Sequence, residues 1–308
     1  MSLLFTSPWG GRLGNVLIAT ANMILMAERY NRPLFMHNIA HTSGCIDLER
    51  LCYEPSGTYD PTSTEAPRGQ WRTWPHGEEP PAPVIHRSNI HAFWSESPIF
   101  LRQYRAILRD MLAPRIRAAL SRCGVADEPP LSEDHLVIHV RSGDVMQSGE
   151  GKNHSNYGQP PLAYYQHVIE THGYTQITIV TEPDQANPVL AALQAQYGDK
   201  VRIQSRSVAE DVGLILRARH FCGGTGTFAQ ALAYASRHIE RLHCFQNHVL
   251  HFPEADFDIR VHETTTPYPL HAPSREGFEA LCRQSWVIRE RDMTGVQEKP
   301  LRYWDEGR

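Results

Sequence analysis

The stretch "HLVIHVRSGDV", residues 135–145, places charged side chains directly after an apolar run. The run predicts a strand inside a sheet, because it is bounded by polar residues and is too short for a helix. It delivers His139 and Arg141 into a glycine turn that also carries Asp144. A guanidinium at the end of such a strand can bind a phosphate through several coplanar N–H donors. A local ion pair between Arg141 and Asp144 that closes the turn is the alternative.

Strands and helices alternate regularly on the C-terminal side of this strand. The predicted helices are "LAYYQHVIETHG", "PVLAALQAQYG" and "SVAEDVGLILRARH", and the last opens with a capping box of Ser207 and Glu210. The segments between them, "QITIVTE", "VRIQS", "FCGG" and "IERLHCF", are predicted strands. This alternation predicts a parallel sheet with helices on both faces.

A glycine-rich loop recurs further along, in "CGGTGTFAQALAYAS", residues 222–236. A strand, a turn with two threonines and a small-residue helix follow one another there, and free amides at a helix N-terminus form an anion site. Thr225 or Thr227 acting as a simple helix cap is the alternative. Asp211, one helix earlier, can accept hydrogen bonds from a base or ribose, or face water.

The N-terminal stretch "PWGGRLGNVLIATA", residues 8–21, also joins a predicted strand to a predicted helix. Together with the strand "RPLFMHN", residues 3–38 have the size of one βαβ unit, with Asn15 placed to cap the helix. The glycines do not follow the GxGxxG spacing, and no acidic residue ends the second strand, so NAD binding is disfavoured. A plain glycine turn and a ligand loop that uses Arg12 both stay open.

Composition and charge exclude several classes of protein. The chain has 308 residues, 41% apolar and 21% charged, with a net charge of −4, which fits a globular protein and disfavours a nucleic-acid partner. No apolar run is long enough to cross a membrane, which predicts a cytoplasmic protein and leaves peripheral membrane association open. Six cysteines without a CxxC pair predict buried thiols in a reducing compartment, and seventeen histidines show no zinc-ligand spacing.

The proline-rich segment "VADEPPLSED" marks a boundary between two domains. Residues 1–130 are predicted as an N-terminal domain on the acceptor side, and residues 131–250 as a donor-binding domain. Residues 251–308 are expected to be a C-terminal extension that packs back on the domains and carries one helix, "SREGFEALCRQSWVIRERD". Residues 44–79 are interpreted as an irregular surface excursion.

Four motifs in this order resemble the fucosyltransferase superfamily of α-1,2-, α-1,6- and protein O-fucosyltransferases. They are "GGRLGN", "HVRSGD", "ITIVTEPD" and "EDVGLILRARHFCGGTGTFAQALAYAS". The resemblance covers about residues 3–38 and 135–236, and its HxRxGD element is the most specific. It implies an α/β chain of the GT-B fold, with two Rossmann-like domains facing a cleft. It also implies GDP-fucose as donor, a glycan acceptor, no required metal or other cofactor, and inversion at the sugar carbon.

The resemblance also implies roles for individual residues. Arg141 would hold the β-phosphate, and Asp211 would lie at the guanine or ribose end of the donor. Arg12 and Asn15 would face the reacting centre from the N-terminal domain. The remaining donor-site residues would be Gly11, Gly14, His139, Thr225, Thr227 and Phe228.

Departures from the family pattern leave the donor and the general base open. Ser142 stands where the family commonly has a second arginine. Glu150 lies near a glutamate of the α-1,6 enzymes, while Asp144 and His154 compete for the role of base, and Glu150 can equally be a solvated loop acid. Tyr164 and Tyr165 can stack on a sugar, although their helical spacing indicates that at least one lies in the core.

These observations predict a fucosyltransferase of bacterial surface polysaccharide synthesis. The alternatives are a related enzyme that uses another nucleotide sugar and a sugar-nucleotide-binding protein without turnover.

Overall fold

A computed structural model describes residues 3–5, 13–36, 46, 51–60, 63–73, 103–146, 159–224, 226–245, 256–269 and 275–292. The chain divides into two compact units. The described residues up to Asp127 belong to the first unit, and those from Glu128 onward belong to the second.

The first unit begins with the predicted βαβ element. Strand β1 (Leu3–Phe5) and strand β2 (Leu34–Met36) pair in parallel, and helix α1 (Leu13–Tyr30) connects them. Most of α1 is buried, including Glu28 near its end, so the helix packs on more than one side. A helix that is buried almost all round lies inside its domain rather than on its surface.

Two further strands extend the first sheet to the order β1-β2-β3-β4. Strand β3 (Leu51–Glu54) pairs antiparallel with β2, and strand β4 (Gln70–Thr73) pairs antiparallel with β3. The interpretation of this region as a surface excursion is therefore wrong for β3, whose first three residues are buried. Only three apolar letters mark that strand among prolines, threonines and glycines, which is too short a pattern to separate from a loop.

The last described part of the first unit is helical. A π-helical turn (Ile107–Leu112) runs directly into helix α2 (Ala113–Arg122). Ahead of them, the hydroxyl of Tyr104 donates a hydrogen bond of 2.9 Å to the carbonyl of Ile18. This buried bond attaches the segment to α1.

The second unit is built on a seven-stranded sheet in the order β11-β10-β9-β8-β5-β6-β7. Its strands are β5 (His135–His139), β6 (Gln176–Val180), β7 (Val201–Gln204), β8 (His220–Cys222), β9 (Arg241–Phe245), β10 (Asp258–Thr264) and β11 (Ile288–Asp292). All neighbouring pairs are parallel except β10 and β11. From β5 onward, the first six strands have the Rossmann order 3-2-1-4-5-6.

Helices connect the parallel strands, as the sequence predicts. They are α3 (Leu162–His172), α4 (Pro188–Tyr197), α5 (Val208–Leu216) and α6 (Thr227–Ala235). Gly173 ends α3 in the left-handed conformation, and Ser207 and Glu210 form the predicted capping box of α5. The fold class, an α/β chain with a large parallel sheet, is confirmed.

The C-terminal residues contribute two strands to this sheet. Strand β10 adds to β9 in parallel, helix α7 (Arg275–Arg283) follows, and β11 closes the edge against β10. The single helix predicted here is therefore correct for α7 and wrong for β11. Ile288 and Glu290 are half-buried on either side of exposed Arg289, but Ile288 is the only apolar residue of β11, so the sequence carries no strand alternation here.

The cysteines follow the expectation in part. Cys52, Cys222, Cys244 and Cys282 are buried free thiols. Cys123 is disulfide-bonded, and its partner lies outside the described residues. The expectation that every cysteine is a free thiol is therefore wrong, because a pairing between distant residues leaves no mark in local spacing.

The described helices include none that is both long and apolar enough to span a lipid bilayer.

Candidate functional site

The candidate site lies where the strand order of the second sheet reverses. Strand β5 has β6 on one side and β8 on the other, and the chain proceeds outward from β5 in both directions. The turns after β5 and β8 therefore lie next to each other at the carboxyl ends of their strands. This is the position at which open parallel sheets bind their ligands.

The turn after β8 packs directly on the backbone of β5. A Cβ atom added at Gly224 would lie only 2.6 Å from the carbonyl oxygen of His139. Real Cβ atoms do not approach a backbone oxygen this closely, so only glycine fits here. The glycines of the predicted loop thus bring its backbone against the end of strand β5.

Arg141 lies against the start of helix α6. A Cβ atom on Gly226, which precedes Thr227 at the beginning of α6, would lie 3.1 Å from Nη1 of Arg141. Gly226 has a φ of +110°, a conformation that residues with a side chain rarely adopt. A guanidinium and the amides of a helix N-terminus therefore meet at one place, and both favour an anion.

An aromatic contact flanks this meeting point. The rings of His139 and Phe228 lie 5.2 Å apart at an interplanar angle of 45°. His139 is buried, while Arg141, Thr227 and Phe228 are half-buried. The structure thus brings together four of the predicted site residues, together with Gly224 and Gly226, which were not singled out.

The turn after β5 is held in place by the loop that follows β6. The backbone amide of Ser142 donates to Glu182 at 2.6 Å, and that of Gly143 donates to both carboxylate oxygens of Asp184 at 3.0 Å. The motif "ITIVTEPD" therefore supplies the carboxylates that fix the "HVRSGD" turn. These two amides are already engaged, whereas the start of α6 offers further amides beside Arg141.

Ser142 has an internal structural role. Its side chain is fully buried, and its hydroxyl accepts hydrogen bonds from the amides of Ala186 at 2.7 Å and Asn187 at 3.1 Å. The Asn187 side chain in turn donates to the carbonyl of Arg141 at 2.9 Å. Ser142 therefore supports the backbone that carries Arg141 and faces away from any ligand.

Asp211 is buried in the first turn of helix α5. Gln204, the last residue of β7, donates a hydrogen bond of 3.0 Å to its carboxylate. Burial raises the pKa of Asp211 to about 6, because desolvation penalises the charged form more than this bond stabilises it. A buried carboxyl with a raised pKa is a candidate functional position.

Tyr164 and Tyr165 are both fully buried in the core of the second unit. The hypothesis that either one stacks on a sugar is therefore wrong. Tyr164 donates a hydrogen bond of 3.2 Å to the carbonyl of Gly223, so it supports the glycine turn from beneath.

Several predicted site residues lie outside the described part of the chain. They are Gly11, Arg12, Glu150, His154, Thr225 and the side chain of Asp144. Gly14 and Asn15 are described and lie in the first turn of α1, which begins at Leu13. The prediction that Asn15 caps this helix is wrong, because its backbone is already helical.

A polar pocket of about 330 Å³ lies within the first unit. Glu28 lines it and is almost fully buried, and its carboxylate accepts hydrogen bonds from the hydroxyl of Tyr53 and from the amide and hydroxyl of Ser56. The other lining residues are Thr58, Tyr59, Asp60, Ser63, Glu65, Ala66, Pro67, Arg68 and Gln103. No motif marks this pocket, because its walls come from helix α1 and from a segment without periodicity.

Side chains suited to a metal ion gather elsewhere in the second unit. Histidines of α3, β9 and β10 surround Glu290 of β11 there. Sequence reasoning missed this group because its members come from elements far apart in the chain.

Comparisons with known proteins show only distant similarity. No family model and no curated protein matches the chain. The structure of E. coli ADP-heptose LPS heptosyltransferase II aligns at 14% identity with a TM-score of 0.29, over 54% of this chain and 50% of that one. The crystal structure of POFUT1 in complex with GDP aligns at 11% identity with a TM-score of 0.37, over 76% of this chain and 94% of that one. The aligned region thus spans half the length of the heptosyltransferase.

Proposed function

We propose that the protein is a glycosyltransferase of the GT-B type that moves fucose from GDP-fucose to a hydroxyl of a glycan. The observation that carries this proposal is the contact of Arg141 with the start of helix α6 at the strand-order reversal. That arrangement offers a fixed cation and a helix N-terminus to one anion, as a nucleotide diphosphate requires. The order of the four fucosyltransferase-like motifs supports fucose as the transferred sugar.

Arg141 acts on the leaving group in this proposal. The bond between the sugar carbon and the β-phosphate oxygen breaks, and its electron pair stays on that oxygen. The guanidinium stabilises the growing negative charge. Asn187 and Ser142 hold the backbone that carries it, at the carbonyl of Arg141 and at the next residue. Thr227 adds the amide of the first helical residue.

The nucleoside end of the donor is assigned to Asp211, with Phe228 and His139 as the aromatic wall nearer the phosphates. The Asp211 carboxyl is desolvated and accepts hydrogen bonds from the Gln204 side chain and the Arg206 backbone amide. A carboxylate has about four acceptor positions, so it has remaining capacity to bind guanine or ribose. The charged form of this carboxyl lowers the stability of the folded protein, and carboxyls with this property cluster at functional sites.

The acceptor hydroxyl attacks the sugar carbon from the face opposite the phosphate, which inverts that centre. Its oxygen forms the new glycosidic bond, and its proton leaves to a general base. Glu150 is our first assignment for this base, with Asp144 and His154 as the other candidates. Arg12 and Asn15 are assigned to the acceptor side, and the products are the fucosylated acceptor and GDP. The cellular role that we propose is synthesis of a bacterial surface polysaccharide.

The proposal is tested by thermal stabilisation and then by turnover. A ligand that binds only the folded state raises the midpoint of unfolding according to its affinity. We expect GDP to raise the midpoint more than UDP, CDP or NAD, and GDP-fucose to be consumed when a glycan acceptor is added in excess EDTA.

Selective stabilisation by UDP or CDP would overturn GDP-fucose as donor. Stabilisation by GDP without consumption of GDP-fucose across an acceptor series would favour the binding protein over the enzyme. An exposed arginine far along the chain, Arg283, provides the control, because Arg283→Ala is expected to keep both responses.

A further inference from the structure

We propose that the second unit holds a transition-metal ion of the zinc class between His167, His262 and Glu290. Each residue offers one ligand atom, and these atoms all lie within 4.8 Å of one another. The site goes beyond the proposed transfer reaction, in which this ion takes no part. Two imidazoles and a carboxylate form a donor set that zinc accepts in proteins.

Three separate elements place the ligands. His262 and Glu290 are directly opposite each other on strands β10 and β11, so their side chains point to the same face of the sheet. Helix α3 covers that face and supplies His167, whose ring lies 5.5 Å from that of His262. Nε2 of His262 lies 3.9 Å from Oε2 of Glu290, so the pair is close without a direct hydrogen bond. This Nε2 contacts Nδ1 of His243 at 2.9 Å, so Nδ1 is the nitrogen of His262 that is left for an ion.

Two ring nitrogens at this place have no hydrogen-bond partner. They are Nε2 of His167 and Nδ1 of His262, and both are buried. His262 itself is fully buried. A buried polar atom without a partner is unfavourable, so the cluster is incomplete as a hydrogen-bonded network. A metal ion is a partner that two imidazoles can share.

A second possible ligand set, His172, His243 and Glu290, is already satisfied. His172 contacts Glu290 through Nε2 at 2.7 Å and Arg241 through Nδ1 at 3.4 Å. His243 contacts His262 through Nδ1 at 2.9 Å and Tyr174 through Nε2 at 3.0 Å. Both nitrogens of both rings are engaged, which is the arrangement of an outer shell that orients metal ligands.

The charges around the cluster are compatible with a cation. Glu290 supplies the one negative charge among the three proposed ligands. Arg260 lies 3.4 Å from the second oxygen of Glu290 and opposes a cation. Asp258 pairs with both Arg260 and Arg241 at 2.8 Å, and together with Glu290 it balances the two guanidinium charges.

The ion would join helix α3 to the C-terminal edge of the sheet. Tyr164, also on α3, packs its ring on His262 at 5.4 Å and holds the carbonyl of Gly223 with its hydroxyl. Removal of the ion is therefore expected to lower the midpoint of thermal unfolding, while turnover measured well below that midpoint persists.

The test uses the full chain after removal of metal with a chelator. Cobalt(II) is added as a spectroscopic stand-in for zinc, and visible absorption bands of a low-coordinate nitrogen and oxygen site are expected at one ion per chain. Zinc should displace them. His167→Gln is expected to weaken cobalt binding by roughly a hundredfold or more, because it removes a ligand outright. His135→Gln is the control, since His135 bonds Thr178 at 2.9 Å outside the cluster.

Glu290→Gln provides a second variant if His167→Gln fails to fold, because it keeps the shape of the side chain and removes the charge. Absence of cobalt bands in the wild-type protein would overturn the proposal. The proposal would also be overturned if His167→Gln or Glu290→Gln bound cobalt as tightly as His135→Gln does. Loss of binding in His172→Gln with full binding in His167→Gln would overturn the ligand set.

Discussion

A Cβ atom on Gly226 would lie 3.1 Å from Nη1 of Arg141, so the guanidinium lies directly against the start of helix α6. The two residues follow different strands, β5 and β8, and meet only because those strands are neighbours. We place the diphosphate of the nucleotide sugar at this contact.

Substitution of Gly226 by alanine should impair both stability and nucleotide binding. The φ of +110° is strained for alanine, and the added methyl group pushes on the guanidinium. We expect a loss of about 1–2 kcal/mol in the free energy of unfolding together with weaker binding of GDP. Urea unfolding and GDP titration measure the two effects.

Gly173→Ala is the matched control for that substitution. Gly173 also has a positive φ, of +68°, but its added Cβ would meet nothing within 4 Å. The Gly173→Ala variant should be less stable than the wild type and should keep the wild-type affinity for GDP. Equal weakening of GDP binding in Gly226→Ala and Gly173→Ala would contradict a nucleotide site at Gly226.

The two glycines after β8 should respond very differently to alanine. A Cβ on Gly224 would lie 2.6 Å from the backbone oxygen of His139, whereas one on Gly223 would make only ordinary contacts from 3.6 Å. We expect Gly224→Ala to cost several kcal/mol, of the order of a strongly overpacked core site, and Gly223→Ala to cost about 1 kcal/mol or less. Similar unfolding midpoints for the two variants would contradict the packing described here.

Removal of the Ser142 hydroxyl should destabilise the protein without removing any ligand contact. Ser142→Ala leaves the buried amides of Ala186 and Asn187 without their acceptor, for an expected loss of about 1–3 kcal/mol. Ser205→Ala is the control, because the buried hydroxyl of Ser205 has no hydrogen-bond partner. Chemical unfolding should show a loss in the first variant and almost none in the second.

The pH dependence of stability should report the burial of Asp211. Its pKa is about 6 in the folded protein, against an ordinary value of 3.8, so the folded state loses stability as pH rises between these values. Asp211→Asn cannot ionise, so the variant does not lose stability in this way as pH rises. The variant should exceed the wild type at pH 7 by up to about 3 kcal/mol, and the difference should shrink toward pH 4. A difference that grows toward acid would have the wrong sign for this explanation.

The second unit was largely predictable from the sequence. Its strands are short apolar runs bounded by turns, and its helices carry local start and stop signals such as the capping box at Ser207 and the terminal Gly173. The neighbourhood of Arg141 and α6 also followed, because the parallel strands of one sheet bring their carboxyl ends to one edge.

Other features depend on contacts that no local pattern encodes. Strand β3 is buried because of antiparallel pairing with β2, and β11 forms because β10 offers it an edge. The inward position of Ser142 and the support of its turn by Glu182 arise from a contact forty residues apart in the chain. The histidine cluster around Glu290 likewise comes from four elements, each with one or two unremarkable polar residues.

The most direct test of the central claim compares GDP with guanosine on the wild-type protein and on Arg141→Ala. Calorimetric titration measures both affinities, and the far-ultraviolet dichroism of the variant checks its fold. Loss of a charged hydrogen bond to phosphate is worth about 1.5–3 kcal/mol, so GDP should bind the variant roughly ten- to a hundredfold more weakly. Guanosine, which lacks the phosphates, should bind both proteins equally. An unchanged affinity for GDP in a folded Arg141→Ala protein would contradict the account.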